Sequence, residues 1–432
     1  MNKLEVNDKL QNYRLPEEWK KVKLGEVIKE ISFKVGKTTL KPVAIGVSGF
    51  RFRDELYYKE LTNDYSNYKI FPYGYLAFGL GTNEIVCGVN LYKGEVYCVS
   101  PAYKVFHIES SDIIFFHHFI DYFKHIWGDR FLVISARQGK TLDFKIFLQE
   151  SIFLPQLPEQ QKIAEILENI DQTIEKTDAI IEKYKRIKQG LMQDFLTRGI
   201  DENGKIRSEE THKFKDSSLG RIPEEWEVKR IIDAIGVKRN LIIAGPFGSN
   251  LKVSDYKKSG IPLIRLQNIE ENKFINKDIK YISRKKGKEL YYHSFKNGDI
   301  VLAKLGIPVG KTCIIPKNFK FGIVVADVVR IRVIDECADK EFITYILNFN
   351  TCRKRLNMEI IGTTRPRVNL TQIRSLQLPL PSIYEQQRIA SILSQIDETI
   401  EKEKKYKEKL GRIKQGLMED LLTGNVRVFN VN

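Results

Sequence analysis

Glu159-Gln160-Gln161-Lys162-Ile163-Ala164, followed by Arg186-Ile187-Lys188-Gln189-Gly190-Leu191-Met192, is written a second time as Glu385-Gln386-Gln387-Arg388-Ile389-Ala390 and Arg412-Ile413-Lys414-Gln415-Gly416-Leu417-Met418. The offset is 226 residues at both ends, so 155–197 recurs at 381–423 without a gap. Ile163, Leu167, Ile170, Ile174, Ile181, Tyr184 and Leu191 step in threes, fours and sevens, the seam of a coiled coil. Ile389, Leu393, Ile396, Ile400, Leu410 and Leu417 match them in the second copy. Ser382-Ile383-Tyr384-Glu385 reads as a capping box, and Pro158 sits in a first turn, where proline is tolerated. A helix from Glu159 to Leu196 runs roughly 57 Å at about 1.5 Å per residue. Neither helix can cover its apolar stripe alone, so the two are predicted to pack together. Each leaves the C-terminal end of one globular head, and the first must reach the second head, so the return helix runs antiparallel. Gly190 and Gly416 sit inside these helices, where glycine costs about 1 kcal/mol relative to alanine. Their presence in both copies points to close approach of another backbone, either the other helix or a partner.

The duplication extends outward from the helices. Leu15-Pro16-Glu17-Glu18-Trp19 and Ile222-Pro223-Glu224-Glu225-Trp226 open the two heads at an offset of 207. By Val99-Ser100-Pro101 against Val325-Ala326-Asp327 the offset is already 226, so the second head carries 19 extra residues in its front half. Gly74-Tyr75-Leu76-Ala77-Phe78-Gly79 echoes Gly298-Asp299-Ile300-Val301-Leu302-Ala303. The runs Gly298–Leu305 and Val324–Ile334 read as strands and Glu341–Met358 as a helix, giving heads built on a twisted, largely antiparallel sheet. The expected fold is α+β: two globular α/β heads separated by two long antiparallel helices that form a coiled-coil spacer, with a pseudo-two-fold internal repeat. The predicted boundaries are 1–154 for the first head, 155–198 for its helix and 199–220 for a polar linker turning at Asp201-Glu202-Asn203-Gly204-Lys205. The second head follows at 221–380, its helix at 381–424 and a tail at 425–432.

The chain has 432 residues, 42% of them hydrophobic and 11% aromatic, which is globular composition sufficient for two or three cores. A formal charge of +16 points to a polyanionic partner, nucleic acid before membrane surface. Cys87, Cys98, Cys313, Cys337 and Cys352 include no C-x-x-C, which supports neither a disulfide framework nor a zinc ribbon and fits a reducing cytoplasm. Met1 to Tyr13 is polar, without a secretory core, and no apolar run approaches the roughly 20 residues of a membrane span.

Several catalytic readings fail on spacing. Gly36-Lys37-Thr38, Gly139-Lys140-Thr141 and Gly310-Lys311-Thr312 lack the earlier glycine of a phosphate loop, its positions being Ile31, Ile134 and Leu305. Gly79-Leu80-Gly81 meets Glu84 where a dinucleotide fingerprint needs its third glycine. There is no Asn-Pro-Pro-aromatic run of the kind amino-methyltransferases use. Glu403-Lys404-Lys405 lies on the spacer, where a solvated face explains it better than a nuclease site. His107, His117, His118 and His125 have no counterpart in the second head, which argues against zinc.

What remains is a vocabulary for reading DNA: Arg and Lys for phosphates and guanine edges, Gln and Asn for adenine edges. In the second head, Gly245-Pro246-Phe247-Gly248-Ser249-Asn250-Leu251-Lys252 offers Ser249, Asn250 and Lys252 on a glycine-rich loop. Ile264-Arg265-Leu266-Gln267-Asn268 offers Arg265, Gln267 and Asn268, and Gly362-Thr363-Thr364-Arg365-Pro366-Arg367 offers two arginines held by a proline. Lys304 joins this set; in the first head the candidates are Arg51, Arg53, Arg137, Gln138 and Lys140.

On these strings the chain resembles the specificity subunit of Type I restriction-modification enzymes across nearly its whole length. The Glu-Gln-Gln junctions, the Lys-Gln-Gly-Leu-Met endings, Ile-Pro-Glu-Glu-Trp, Gly-Pro-Phe-Gly-Ser-Asn-Leu-Lys, Pro-Leu-Ile-Arg-Leu-Gln-Asn-Ile and Gly-Thr-Thr-Arg-Pro-Arg carry the resemblance. The first head departs from the Gly-Ser-Asn-Leu-Lys pattern. The resemblance implies two target-recognition domains on double-stranded DNA, each reading half of a split site, and a spacer that sets the gap and docks two methyltransferase subunits. Those would hold S-adenosylmethionine, and two restriction motor subunits reached through them would use ATP and Mg2+; this chain would bind no cofactor or metal and catalyse nothing. The rival reading is a coiled-coil adaptor with two peptide-binding heads, which leaves the charge and the Gly/Arg loops unexplained.

Overall fold

The computed structural model describes residues 16–428 apart from 48, 54–63, 81–84, 135–139 and 363–364. The chain divides into two compact units, Met1–Ala179 with Lys404–Asn432, and Ile180–Glu403. Two helices, Leu157–Phe195 and Ile383–Leu422, each contribute residues to both.

In the first unit, β1 (Lys20–Lys23) carries the chain into the domain. It then runs through β2 (Ile28–Glu30), β3 (Lys41–Gly46), β4 (Gly49–Phe52), β5 (Lys69–Pro72), β6 (Tyr75–Leu80), β7 (Ile85–Val89), β8 (Val96–Val99) and β9 (Lys104–Ile108). These make two four-stranded sheets, β2-β9-β6-β7 and β4-β3-β8-β5. The first is antiparallel; the second contains one parallel pair, β3 with β8. Helix Ile113–Phe131 begins at Asp112, whose carboxylate accepts from the Phe115 amide at 2.9 Å, as an N-cap should. Its Phe115, Phe116, Phe119, Ile120, Phe123 and Trp127 are buried against the first sheet. The hairpin β10 (Leu132–Ile134) and β11 (Lys140–Leu142) follows. Finally β12 (Ser151–Leu154) pairs antiparallel with β1, returning the chain to the start of the domain just before the long helix begins.

The second unit repeats this topology. β13 (Phe214–Ser217) and β14 (Gly220–Pro223) form a hairpin ahead of the domain, and β15 (Glu227–Arg230) is paired with β26 (Gln377–Leu380) as β1 is with β12. Between them come β16 (Ile242–Ala244), β17 (Ile261–Ile264), β18 (Ile269–Glu270), β19 (Lys273–Phe274), β20 (Lys280–Ile282), β21 (Ser294–Lys296), β22 (Ile300–Ala303), β23 (Thr312–Ile314), β24 (Phe321–Val324) and β25 (Val328–Ile331). The sheets are β16-β25-β22-β23 and β20-β17-β24-β21, with β17 parallel to β24. Gly74 and Gly298, at φ 78° and 82°, make the same left-handed turn into β6 and β22, a conformation that favours glycine. Much of the extra length of this domain lies between β17 and β20: a 3-10 turn and the β18–β19 hairpin replace the tight Gly46–Gly49 turn of the first domain.

Three local expectations change. Val324–Ile334 is not one strand, because a turn at Val325–Asp327 passes the chain from one sheet to the other. Glu341–Met358 is two helices, Lys340–Asn348 and Asn350–Met358, broken by the extended Phe349 at φ −67°, ψ 144°. Among the described residues each domain shows two four-stranded sheets instead of one, since strands of three to six residues are too short to cover a core from a single layer.

The long helices run antiparallel in each unit. In the first, Asp171 meets Lys414 and Asp178 meets Lys407; in the second, Lys188 meets Asp397. None of the thirteen predicted seam residues is exposed. Ile163 and Leu167 are buried in the core of the first domain and Ile389 and Leu393 in that of the second, so the opening turn of each helix is as much domain as spacer. Only half of the capping box forms: the Ser382 hydroxyl accepts from the Glu385 amide at 3.3 Å, but the Glu385 carboxylate turns to Arg207 instead of back to residue 382. Gly190 and Gly416 do not mediate close approach of the helices. Both are exposed, and an added Cβ would meet nothing within 4 Å.

Candidate nucleic-acid interface

Strand register in the second domain gathers most of the candidate residues along one edge. β16 and β22 both run antiparallel to β25, so their C-terminal ends lie beside its beginning: Ala244 opposes Val329, and Ala303 opposes Val328. β24 ends at that edge before turning into β25, and β17, parallel to β24, ends there too, with the Val325 amide donating to the Ile264 carbonyl at 3.1 Å. The loops leaving these ends carry Ser249, Asn250 and Lys252, then Arg265 and Gln267, then Lys304. The Arg365-Pro366-Arg367 segment is laid against the last of them. Gly306 donates to the Pro366 carbonyl at 3.2 Å and Val368 to the Lys304 carbonyl at 3.0 Å. Gly245 is required at the root of the first loop, since a Cβ there would lie 2.1 Å from the Val325 carbonyl oxygen.

Ser249, Asn250, Lys252, Gln267, Arg365 and Arg367 are exposed, and Arg265 and Lys304 are half-buried. Burial holds the Lys304 ammonium below its ordinary pKa, the Arg367 charge adds to that, and Asp327 opposes it. A cation disfavoured in this way gains from an arriving phosphate more than a fully solvated lysine does.

Asn268 leaves the set. It is fully buried, its amide donates to the Ile275 and Lys277 carbonyls at 3.0 and 2.9 Å, and its oxygen accepts from the Arg265 amide at 3.0 Å. It shapes the loop and has no edge left to offer a base. Arg265 is partly committed as well, donating to the Asp278 carbonyl. Sequence reasoning passed over Phe247 and Ile307, apolar side chains 83% and 85% exposed on two of these loops. The glycines beside both were the available signal, and such tips fit thymine methyl groups or a base step.

The first domain gathers less. Arg51 is exposed on the outer strand β4, opposite Ala44, while Arg53 lies farther from the Gly46–Gly49 turn and donates to the Tyr68 hydroxyl at 3.1 Å. Lys140 lies in β11 opposite Ile134, and Arg137 and Gln138 fall outside the described residues. No cluster of three or more His, Cys, Asp or Glu among the described residues fits a metal ion. His118 is buried on helix Ile113–Phe131 instead, its pKa pushed down to about 3, chiefly by burial and then by His117 and Lys414. No helix among the described residues is long and apolar enough to cross a membrane.

The family model described as "Type I restriction modification DNA specificity domain" matches residues 16–186 and 223–412. The MjaVIII specificity subunit of a Type I restriction enzyme from Methanocaldococcus jannaschii is 28% identical, covering 98% of this chain and 96% of its own length. The EcoBI specificity subunit from Escherichia coli is 25% identical, covering 81% of this chain and 73% of its own. Among solved structures, the S subunit of a Type I restriction-modification system from M. genitalium shares the fold. It has a TM-score of 0.56 and 12% identity, covering 95% of this chain and 97% of that one. A chain from a study of complex assembly and conformational transition of the type I R-M system gives a TM-score of 0.52 at 16% identity, covering 96% and 100%.

Proposed function

Because the chain belongs to the Type I restriction modification DNA specificity domain family, and is therefore a DNA sequence-recognition subunit, we propose that its two domains read the two unlike halves of a split site. The long helices then set the unread gap. The observation that carries this reading is the edge of the second domain where loops leaving strand ends carry Lys252, Gln267 and Lys304, with Arg365 and Arg367 laid against the last of them. Unlike halves follow from unlike domains: one topology is written twice, but with different loops at the corresponding edge.

The helices offer two equivalent outward faces for partners. Ile180, Ile187 and Gly190 are exposed along one side of the first, and Tyr406, Ile413 and Gly416, each 226 residues on, along the second. Two copies of one partner fit two copies of one face, and the reading assigns them to two methyltransferase subunits, with two restriction motor subunits joined through these. S-adenosylmethionine would sit on the methyltransferases and ATP with Mg2+ on the motors, leaving this chain without catalysis of its own. An added heptad in both helices lengthens each by roughly 10 Å. In the assembled methyltransferase it should widen the gap by about three base pairs, at roughly 3.4 Å per pair; an unchanged gap contradicts the reading.

A further inference from the structure

Each long helix carries one aspartate that pairs with a lysine of the other helix beside a helix of the adjoining domain. In the Ile180–Glu403 unit, Asp397 on the second long helix accepts from Lys188 of the first, Nζ lying 2.6 and 2.7 Å from its two oxygens. It also accepts from the hydroxyl of Tyr345, on the domain helix Lys340–Asn348, at 2.8 Å. The Lys188 ammonium lies 5.4 Å from the centre of the Tyr345 ring. In the other unit, Asp171 on the first long helix accepts from Lys414 of the second at 2.7 Å, and His118 Nε2, on helix Ile113–Phe131, lies 3.9 Å away. Asp171 and Asp397 are related by the 226-residue offset, as are Lys188 and Lys414; His118 and Tyr345 are related by 227. The aspartate–lysine crossing has therefore been built twice, and the domain helix brings a different residue to each: a hydrogen-bonded tyrosine at Asp397, and at Asp171 a buried, uncharged histidine beyond hydrogen-bond distance.

An apolar seam repeating every seven residues is nearly as well satisfied after a slip of one heptad. An ion pair set into the seam adds little net stability, because desolvation offsets attraction, but it distinguishes one register from the next. Both lysines are well covered, at 16% and 23% side-chain exposure, and each aspartate is 32% exposed, so a slip would leave charges stranded. The third cross-helix pair, Asp178 with Lys407, is more exposed at 48% and 42%, and the offset carries Lys407 to Ile181, so it is not part of the repeated device.

We infer that Asp171 and Asp397 are positioning residues that hold the helices in one register, Asp397 also seating its domain upon them through Tyr345, and thereby restrict the enzyme to a single gap length. This rests on the spacer reading above. The test is methylation mapping of complexes carrying Lys188→Asp, Asp397→Lys, both together, or the nearly isosteric Asp397→Asn. Each single change should keep both half-site sequences while raising methylation at gaps other than the native one by about tenfold, the effect of an interaction near 1.4 kcal/mol. The double exchange should return the single gap, because the Tyr345 hydroxyl can accept from a lysine as readily as it donates to an aspartate. Asp178→Asn should change nothing. A single native gap in Asp397→Asn and both reversals, or spreading that the exchange does not reverse, overturns the inference. If the unaltered chain directs no split motif, or heptad insertion leaves its gap unmoved, the spacer reading itself has failed instead.

Discussion

Arg427 grips Glu159 with two parallel hydrogen bonds, Nε to Oε1 at 2.7 Å and Nη2 to Oε2 at 2.9 Å, and Arg207 grips Glu385 likewise through its two Nη atoms. Each arginine follows the end of one long helix, and each glutamate opens the other. Arg427 also bonds Glu18 and Arg207 also bonds Glu225, so the glutamates of both Pro-Glu-Glu-Trp strings are drawn into the same latch. The next residue of each helix, Gln160 or Gln386, fastens the domain helix: its oxygen accepts from the amide of Asp112 or Asp339, and its amide donates to the carbonyl of Pro155 or Pro381. The repeated Glu-Gln is thus a junction between domain and spacer.

Removing the latch should cost more in the second unit, where Arg207 and Glu385 have side chains 7% and 8% exposed. Arg207→Ala leaves a buried carboxylate uncompensated and should destabilise by roughly 3–5 kcal/mol. Arg427→Ala, at a more open site, should cost about 2 kcal/mol. Denaturant unfolding of the two variants measures the difference.

Asn268 and Gln267 are neighbours with opposite expected phenotypes. Asn268→Ala strands two carbonyls and an amide and should lower stability by about 2–3 kcal/mol. Gln267→Ala should leave stability unchanged and alter discrimination at the second half-site. Unfolding curves set beside competitive DNA binding in the assembled complex separate the two.

His118 makes stability acid-sensitive. Its pKa is near 3 in the fold against about 6.5 unfolded, so below about pH 6.5 the unfolded chain takes up a proton that the folded chain refuses. Stability from this group is therefore complete above pH 6.5 and falls progressively toward pH 3. His118→Tyr, which writes in the Tyr345 solution, should reduce the loss of stability between pH 7.5 and pH 5. His117, also pushed down by burial, should leave part of it. Urea midpoints at the two pH values test this.

Arg365 and Arg367 should grip DNA electrostatically. If both contact phosphates, Arg365→Ala with Arg367→Ala should lower the slope of log affinity against log salt by about 2. Lys304→Ala should remove about one further unit. An unchanged slope in binding titrations would place these side chains off the DNA.

The duplication and the helices were legible because heptad spacing and a gapless 226-residue repeat are local signals. Division of each domain into two sheets was not, because strands such as Ile242–Ala244 and Thr312–Ile314 are too short to show a period. Asn268 was misread because a buried amide bound to main chain looks, in sequence, like one free to read a base. The Arg427–Glu159 latch joins residues 268 positions apart, and Gly190 misled because a glycine on an open helix face resembles one at a crossing. The second domain's candidates fall along one edge because their strings follow strand ends that share a register, whereas in the first domain Arg51 and Lys140 lie within separate strands.

The most direct measurement is genome-wide mapping of adenine methylation in cells carrying this chain with the methyltransferase proposed above as its partner, and in matched cells without the chain. The account predicts two short, unlike half-sites at one fixed gap, methylated only when the chain is present. A motif that persists without the chain, or none with it, would contradict the account.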